Sequence, residues 1–285
     1  MPYPQIPAPY GLKPINLIGG QVFAGGIRQY PIQYGYGTNI FYGDFVKVSA
    51  SAPGGMLARA AIGATTSSNA FTGVFLGCTY TNPQTKQKQF AQYWPASTLA
   101  GDCTAYVCDD PDTVFKAVVC SATTTVASGA LAMVGNNLSM IDNSTGNVNT
   151  GNSTNAVLAP TATPVTTILP VRCVGVVEDT AIVYSATGSS SSTTITLTGS
   201  GAPAALPVGT SVAYLASNGQ VIQTGSFLAS GVSAGATSLT LNAQPNVQGS
   251  GTNIGAASTI IFTVYPEILV KVNLLSHGYY SSTTA

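Results

Sequence analysis

Short β-type runs separated by tight-turn residues dominate the sequence, and Phe71 to Phe115 shows this pattern most clearly. Val74 to Tyr80 is rich in the aromatic and β-branched residues that favour strands. Asn82 to Thr85 has turn chemistry, and Lys86 to Trp94 then alternates as a half-exposed antiparallel strand does. Cys103 to Cys108 predicts a further strand. The segment is therefore predicted to be a soluble, specifically folded β-meander.

Prolines set the character of the N-terminal segment. Five prolines precede Ile15, and each removes a backbone donor, so neither a helix nor a central strand is expected there. We expect residues 1–20 to form an extended, polyproline-like arm. Such an arm either stays disordered or becomes ordered on a partner, and its apolar side chains favour the second. The candidate binding residues are Pro2, Tyr3, Pro4, Ile6, Pro7, Pro9, Tyr10, Leu12 and Pro14.

A long uncharged segment interrupts the second half of the chain. Between Asp179 and Glu267 there is no Asp, Glu, Lys, Arg or His. The run Gly188–Ser192 has the composition of a flexible linker, and the turn Ser217–Gly219 predicts a hairpin. Glu267 to Asn273 alternates and brings charge back, as if it resumed the sheet of Val171 to Asp179.

These patterns predict an all-β protein with three parts. The core is a small β-barrel or sandwich domain of residues 21–184 and 265–285, preceded by the extended N-terminal arm of residues 1–20. Residues 185–264 form an inserted, uncharged second β-domain, because exposed loop tips tolerate insertions. We expect this insert to lie on the outside of the molecule.

Charged residues are scarce, and this excludes several kinds of partner. They make up 6 % of the chain against about 25 % in ordinary soluble domains, and the net charge is zero. Little electrostatic repulsion opposes association, which favours a protein packed against neighbours over a neutral monomer. We expect no nucleic-acid partner and no membrane partner, since basic residues are scattered and no apolar run is long enough to span a bilayer. Met1 to Pro4 lacks signal-peptide features, so we expect synthesis and assembly inside a cell.

The sequence offers little catalytic or metal-binding chemistry. His277 is the only histidine and is interpreted as a solvated surface residue. The acids of the middle region cap predicted strands at turns, where acids usually solvate a loop. They are Asp102, Asp109, Asp110, Asp112, Glu178 and Asp179. We expect no enzymatic activity and no cofactor.

Neither the cysteines nor the one acidic loop fits a metal site. Cys103 and Cys108 are near each other in sequence but lack the paired spacing of zinc modules. The loop that begins at Asp142 lacks the further acidic residue that a calcium-binding loop needs. We therefore expect no metal. The cysteines are interpreted as small buried apolar residues. They are Cys78, Cys103, Cys108, Cys120 and Cys173.

The chain resembles the capsid cement (head decoration) proteins of tailed bacteriophages in two neighbouring runs, GVFLGCTYTNPQTKQKQFAQYWP and AYVCDDPDTVFKAVV. It is similar to them also in PYGLKPINLIGGQVFAGGIRQYPI and PVRCVGVVED, so the resemblance covers most of the chain outside 180–266. The family often has a short connection there, and the insert is a departure from it. No catalytic group lies in these motifs.

The resemblance implies a structural virion protein on the capsid exterior, assembled in the host cytoplasm. Its implied partners are the major capsid protein, whose intersubunit contacts it would stabilise, and further copies of itself in a homo-oligomer, a trimer. Two other classes stay open: a receptor- or glycan-binding all-β module of a virion fibre or surface, and a cell-surface structural protein. The arm and the resemblance favour the capsid protein.

Overall fold

A computed structural model describes residues 6–49, 54–62, 71–160, 169–247, 253–273 and 277. Within these ranges no helix reaches seven residues, and the all-β fold class is confirmed. Single 3-10 turns occur at Leu131–Met133 and Glu178–Thr180. The strands are β1 (Lys13–Leu17), β2 (Arg28–Pro31), β3 (Phe45–Val48), β4 (Leu57–Arg59), β5 (Gly73–Thr81), β6 (Lys88–Ala91), β7 (Thr104–Cys108), β8 (Thr113–Cys120), β9 (Asn137–Leu138), β10 (Met140–Ile141), β11 (Gly146–Asn147), β12 (Asn152–Ser153), β13 (Ala156–Leu158), β14 (Val171–Val176), β15 (Ile182–Ser191), β16 (Thr194–Leu197), β17 (Ser211–Leu215), β18 (Val221–Phe227), β19 (Ser238–Thr240), β20 (Ser258–Val264) and β21 (Glu267–Val272). None of the helices described is long and apolar enough to cross a membrane.

The first sheet is nearly closed into a small barrel. Its strands follow the order β2-β7-β5-β3-β4, and β6 also pairs with β5. A bridge between Ile32 and Leu57 brings the two edge strands together. Trp94 and Phe75 are fully buried in the apolar cluster that fills this sheet. Closure of this kind removes exposed strand edges, which otherwise invite association.

The predicted meander is wrong in its strand order. β5 pairs with both β6 and β7, so it lies between the two strands that follow it in sequence. Alternation along β6 was read correctly as half-exposed, since Phe90 is 81 % exposed. Alternation predicts that a strand exists and which side faces solvent, but it does not predict which neighbour a strand pairs with.

The second sheet contains the strands on either side of the uncharged segment. Its order is β10-β13-β8-β21-β14-β9, and β1 pairs with the first half of β8, whereas β13 pairs with the end of β8. β21 lies antiparallel between β8 and β14, with Val270 opposite both Phe115 and Cys173. The expectation that the strand at Glu267 rejoins the sheet begun at Val171 is therefore confirmed. Phe115, Val171 and Val270 are buried in the core of this sheet.

The uncharged segment forms a third sheet with its own apolar cluster. The order is β18-β17-β20-β15-β16-β19, and a Leu228–Leu241 bridge joins the two edges. Ile195, Ile260 and Phe262 are fully buried within it. The hairpin predicted at 217–219 is confirmed between β17 and β18. This sheet runs from Ile182 to Val264, while the division of the chain into a core and an inserted domain stays a prediction.

The prediction of a flexible linker at Gly188–Ser192 is wrong, because residues 188–191 continue β15. The Oγ of Ser190 accepts a hydrogen bond from the Ile254 backbone N–H at 2.6 Å, and Ser190 is buried. A Cβ on Gly188 would lie 2.5 Å from the Thr196 carbonyl oxygen. Glycine and serine are used here for close strand packing, which their composition alone does not distinguish from flexibility.

A buried polar network joins the barrel to the loop that contains β11 and β12. Asp44 is 1 % exposed and accepts four hydrogen bonds, two on each carboxylate oxygen. The donors are the Phe41 N–H, Arg59 Nε, Ser153 Oγ and Asn155 Nδ2. Arg59 also pairs with Asp142. Burial raises the pKa of Asp44, while the Arg59 charge and the hydrogen bonds oppose that rise.

Replacing the cation of this network is predicted to destabilise the fold. Arg59→Met leaves Asp44 buried without its counter-ion, and breaking one side of a buried ion pair removes about 3–5 kcal/mol. Urea denaturation should show this loss from the free energy of unfolding. Arg172→Met, on the exposed side of β14, is the matched control and should change the value by no more than about 0.5 kcal/mol. Equal effects of the two substitutions would contradict the account.

His277 is buried, so the surface position expected from the sequence is wrong. It is 1 % exposed and forms a parallel bridge with Phe71. Burial lowers the pKa of His277, and a backbone hydrogen bond and the charges at Asp109 and Asp110 act in the opposite direction. A histidine on a chain end is usually solvated, but here backbone pairing with the start of the barrel carries it into the interior.

Acid should therefore weaken the fold through His277. Its folded-state pKa lies below the unfolded value of 6.5, so its contribution is complete above that pH and is lost as the pH falls toward the folded-state pKa. Urea denaturation at about pH 7.5 and about pH 5.5 should show a larger loss for the wild type than for His277→Gln. Parallel losses in the two proteins would show that His277 does not contribute.

All five cysteines are buried thiols, as the sequence predicted, and none forms a disulfide. Burial raises the pKa of Cys108, Cys120 and Cys173 to about 11. These side chains pack as small apolar groups and are poor nucleophiles, because reactivity requires the thiolate.

Candidate functional site

The N-terminal segment lies on this chain's own fold from residue 6 onward. β1 is an edge strand that pairs antiparallel with the first half of β8, with Lys13 opposite Lys116 and Leu17 opposite Thr113. Pro14 fits because the register shifts between Pro14 and Asn16, and an edge strand tolerates a missing donor. The prolines correctly predicted that no central strand forms in this segment. Lys13–Leu17 forms an edge strand where the sequence predicted an extended arm.

The candidate arm residues divide by burial. Pro9 and Leu12 are buried, Pro7 is exposed, and Ile6, Tyr10 and Pro14 are half-buried. Leu12 belongs to the same core cluster as Phe45. Pro2, Tyr3 and Pro4 lie outside the described residues. In this conformation Pro9 and Leu12 anchor the segment on its own protein, and only the remaining described residues offer surface to a partner.

Two glycines allow the segment to approach the barrel closely. Gly11 and Gly43 both have positive φ, and the Leu12 N–H donates to the Gly43 carbonyl at 3.1 Å. A Cβ on Gly43 would lie 2.7 Å from the Leu12 nitrogen, and one on Gly11 would lie 2.9 Å from the Gly43 oxygen. Only glycine combines this conformation with this separation. The backbone approach fixes where Tyr10 and Lys13 lie.

A charged cluster forms where the segment crosses β8 and β21. The Tyr10 hydroxyl donates to Glu267 Oε1, and Lys116 Nζ lies 3.3 Å from the same oxygen. Lys13 Nζ lies 4.1 Å from the centre of the Tyr10 ring, a cation–π distance. Burial, followed by the hydrogen bond to Glu267 and its charge, raises the pKa of Tyr10. Burial and the Lys116 charge lower the pKa of Lys13.

Glu267 is incompletely satisfied. It is 3 % exposed, and no group of the described residues donates a hydrogen bond to its Oε2 atom. An unsatisfied buried acceptor costs about 1–3 kcal/mol, and more when it is charged. Sequence reasoning used Glu267 only to mark the return of charge. Alternation along β21 gave no signal for its burial, because it places Glu267 on the same face as Lys271, opposite the buried Ile268.

A cleft of about 540 Å³ opens beside this cluster. One wall is the N-terminal segment from Ile6 to Tyr10, and another is the loop from Asn147 to Thr154. Lys13, Lys116 and Glu267 line it as well. Clefts of this size with a few convergent polar groups are the usual form of small-molecule sites.

Apolar side chains are exposed in β1 and just beyond it. A turn follows the strand, with the Leu17 N–H donating to Gln21 O at 2.8 Å, and Ile18 N donates to Asp112 O at 2.9 Å. The described residues include twelve exposed large apolar side chains, of which four lie between residues 15 and 27. We call these four the apolar N-terminal surface: Ile15 (39 % exposed), Ile18 (50 %), Val22 (80 %) and Ile27 (44 %).

The acids considered for catalysis occupy hydrogen-bonded turn positions. Asp102 accepts from the Thr81 backbone and hydroxyl, at 2.9 and 2.6 Å. Asp109 pairs with Arg28 at 3.0 Å, and Asp112 pairs with Lys271 at 2.6 Å. The described ranges contain no group of three or more His, Cys, Asp or Glu side chains placed to hold a metal ion.

No protein-family model matches the sequence, and no curated protein or solved structure matches it either.

The contact between Tyr10 and Glu267 should contribute to stability. Tyr10→Phe removes one of the two donors at Oε1 and should lower the free energy of unfolding by about 1–3 kcal/mol in urea denaturation. Tyr34→Phe, at a site that is 59 % exposed, is the matched control and should leave stability unchanged. Identical unfolding curves for the two variants would show that the docked segment does not depend on this bond.

Proposed function

We propose that this protein is a structural virion protein that binds the outer surface of a phage capsid and stabilises contacts between subunits of the major capsid protein. The observation that carries the proposal is the apolar N-terminal surface, which is exposed and begins in β1, with Val22 bridged to Asn16 of that strand. A group of exposed apolar side chains within one short stretch is typical of a surface that contacts a partner. The resemblance to capsid cement proteins and the low charge support the same conclusion.

The proposed action is mechanical. Ile15, Ile18, Val22 and Ile27 would lie against neighbouring capsid subunits, and burial of their apolar surface would contribute about 25 cal/mol per Å² before ordering terms. Copies joined in a symmetric oligomer, a trimer in this proposal, would hold several such contacts at once. Tethering raises their effective concentration, so dissociation requires every contact to open together.

Fewer residues of the arm contact the capsid in this proposal than the sequence alone indicated. Pro9 and Leu12 act as anchors, because exposing them would open the protein's own core. Ile6 is half-buried and Pro7 exposed, and both stay proposed capsid contacts. Pro2, Tyr3 and Pro4 stay proposed contacts as well, although they lie outside the described residues. The capsid contacts then lie on both sides of the anchored residues, with the start of the arm before them and the apolar N-terminal surface after them.

The test is cosedimentation of the purified protein with empty capsids of the phage that encodes it, combined with thermal rupture of the capsids. The wild type should sediment with capsids and raise their rupture temperature. Ile18→Ser combined with Val22→Ser should weaken binding about thirtyfold to several hundredfold, since each apolar side chain contributes about 1–2 kcal/mol when buried and the two together about 2–4 kcal/mol. Both positions are exposed, so folding should be unaffected.

The matched control carries Val183→Ser and Val221→Ser, which are 61 % and 52 % exposed on the third sheet. It should bind as the wild type does. Equal loss in both double variants would remove the apolar N-terminal surface from the account. Failure of the wild type to bind capsids, with attachment to cells instead, would replace the proposal by a receptor-binding function.

A further inference from the structure

We propose that Cys78 and Cys103 form a site of oxidative modification in the barrel, at which a small disulfide oxidant creates an intramolecular disulfide that fastens β5 to the start of β7. This site is separate from the capsid contact proposed above and does not rest on it. Both side chains are buried in the apolar cluster that fills the barrel. The other three cysteines belong to different clusters.

Strand pairing brings the two cysteines together. In the ladder between β5 and β7, Cys78 lies opposite Ala105, which is two residues beyond Cys103. The contacts continue past the start of β7, because Asp102 accepts hydrogen bonds from the Thr81 backbone and hydroxyl. Side chains two residues apart on a strand share a face. Cys103 therefore lies on the interior face with Ala105, diagonally across from Cys78.

The two thiol groups are already in contact. A hydrogen bond between the side chains of Cys78 and Cys103, followed by burial, raises the pKa of Cys78. The Cys78 thiol also donates to the Tyr93 carbonyl oxygen, at 3.7 Å. Sulfur atoms in hydrogen-bond contact need only a small approach to reach the bonded distance of about 2 Å. The folded barrel therefore presents the two thiols to each other as a pair.

Cys103 is the thiol that an oxidant reaches first. It is 5 % exposed against 1 % for Cys78, and it directly follows the exposed residues Gly101 and Asp102. A Cβ on Gly101 would meet open space, so this end of the barrel is not covered there by other parts of the described chain. The raised pKa of Cys78 makes it the weaker first nucleophile, because attack requires the thiolate.

The reaction is two successive thiol–disulfide exchanges. The Cys103 thiolate attacks one sulfur of the oxidant, breaks its S–S bond and releases one thiolate. Cys78, after losing its proton, attacks the Cys103 sulfur of the mixed disulfide and releases the second thiolate. The protein loses two electrons and two protons, and the oxidant is reduced to two thiols. The cross-link forms in oxidising surroundings and is absent where thiols are kept reduced.

The test incubates the purified, folded full chain with oxidised glutathione at about pH 8, close to the ordinary pKa of a thiol. After an acid quench and alkylation, mass spectrometry should show that the five free thiols become three and that two hydrogen atoms are lost. Peptide mapping should link Cys78 to Cys103. The cross-linked protein should unfold at a urea midpoint about 1 M higher, because the disulfide closes a loop in the unfolded chain.

Cys103→Ala removes the first nucleophile and should form no intramolecular disulfide. Cys108→Ala, at the other end of β7, is the matched control and should still link Cys78 to Cys103. If Cys103→Ala is unfolded by circular dichroism, the peptide map of the wild type decides the question alone. Five thiols retained by the folded wild type would overturn the proposal, and so would a link between any other pair or a lasting glutathione adduct. An unchanged urea midpoint in the linked protein would overturn the fastening of β5 to β7.

Discussion

The pairing of β1 with β8 is the interaction on which both candidate surfaces depend. It holds the N-terminal segment against the second sheet, with Leu12 in the core and Gly11 against Gly43. Just before β1 in the chain, Tyr10 forms a hydrogen bond with Glu267 and lines the cleft. Just after β1 the chain turns, and Ile18 and Val22 are exposed. One edge-strand contact therefore positions two surfaces with different chemistry.

Two of the buried acids, Asp44 and Glu267, differ in how the rest of the chain compensates their burial. Asp44 accepts four hydrogen bonds on its two oxygens and faces Arg59, so its burial is compensated within the chain. Glu267 receives donors on Oε1 alone. The burial of Glu267 is therefore compensated less completely than that of Asp44, and this lowers stability at the point where the N-terminal segment meets β21.

Local chemistry made much of this fold predictable. Turn residues and alternation identified β5, β6 and β7 of the barrel, the hairpin at 217–219 and the return of β21 beside β14. Long-range pairing was not predictable in the same way. The position of β5 between β6 and β7, the docking of residues 6–17 and the burial of His277 each depend on a partner distant in sequence. The sequence predicted only part of the candidate site. Glu267 and Lys116 are far apart in sequence and become neighbours only because β21 pairs with β8.

Photo-crosslinking on capsids tests the central claim most directly. A photoreactive phenylalanine analogue placed at Val22 would be carried on assembled heads and activated by light, with the same analogue at Val183 as the reference position. The account predicts a covalent product with the major capsid protein from position 22 and none from position 183. Products from position 183 alone, or from neither position on heads that carry the protein, would contradict it.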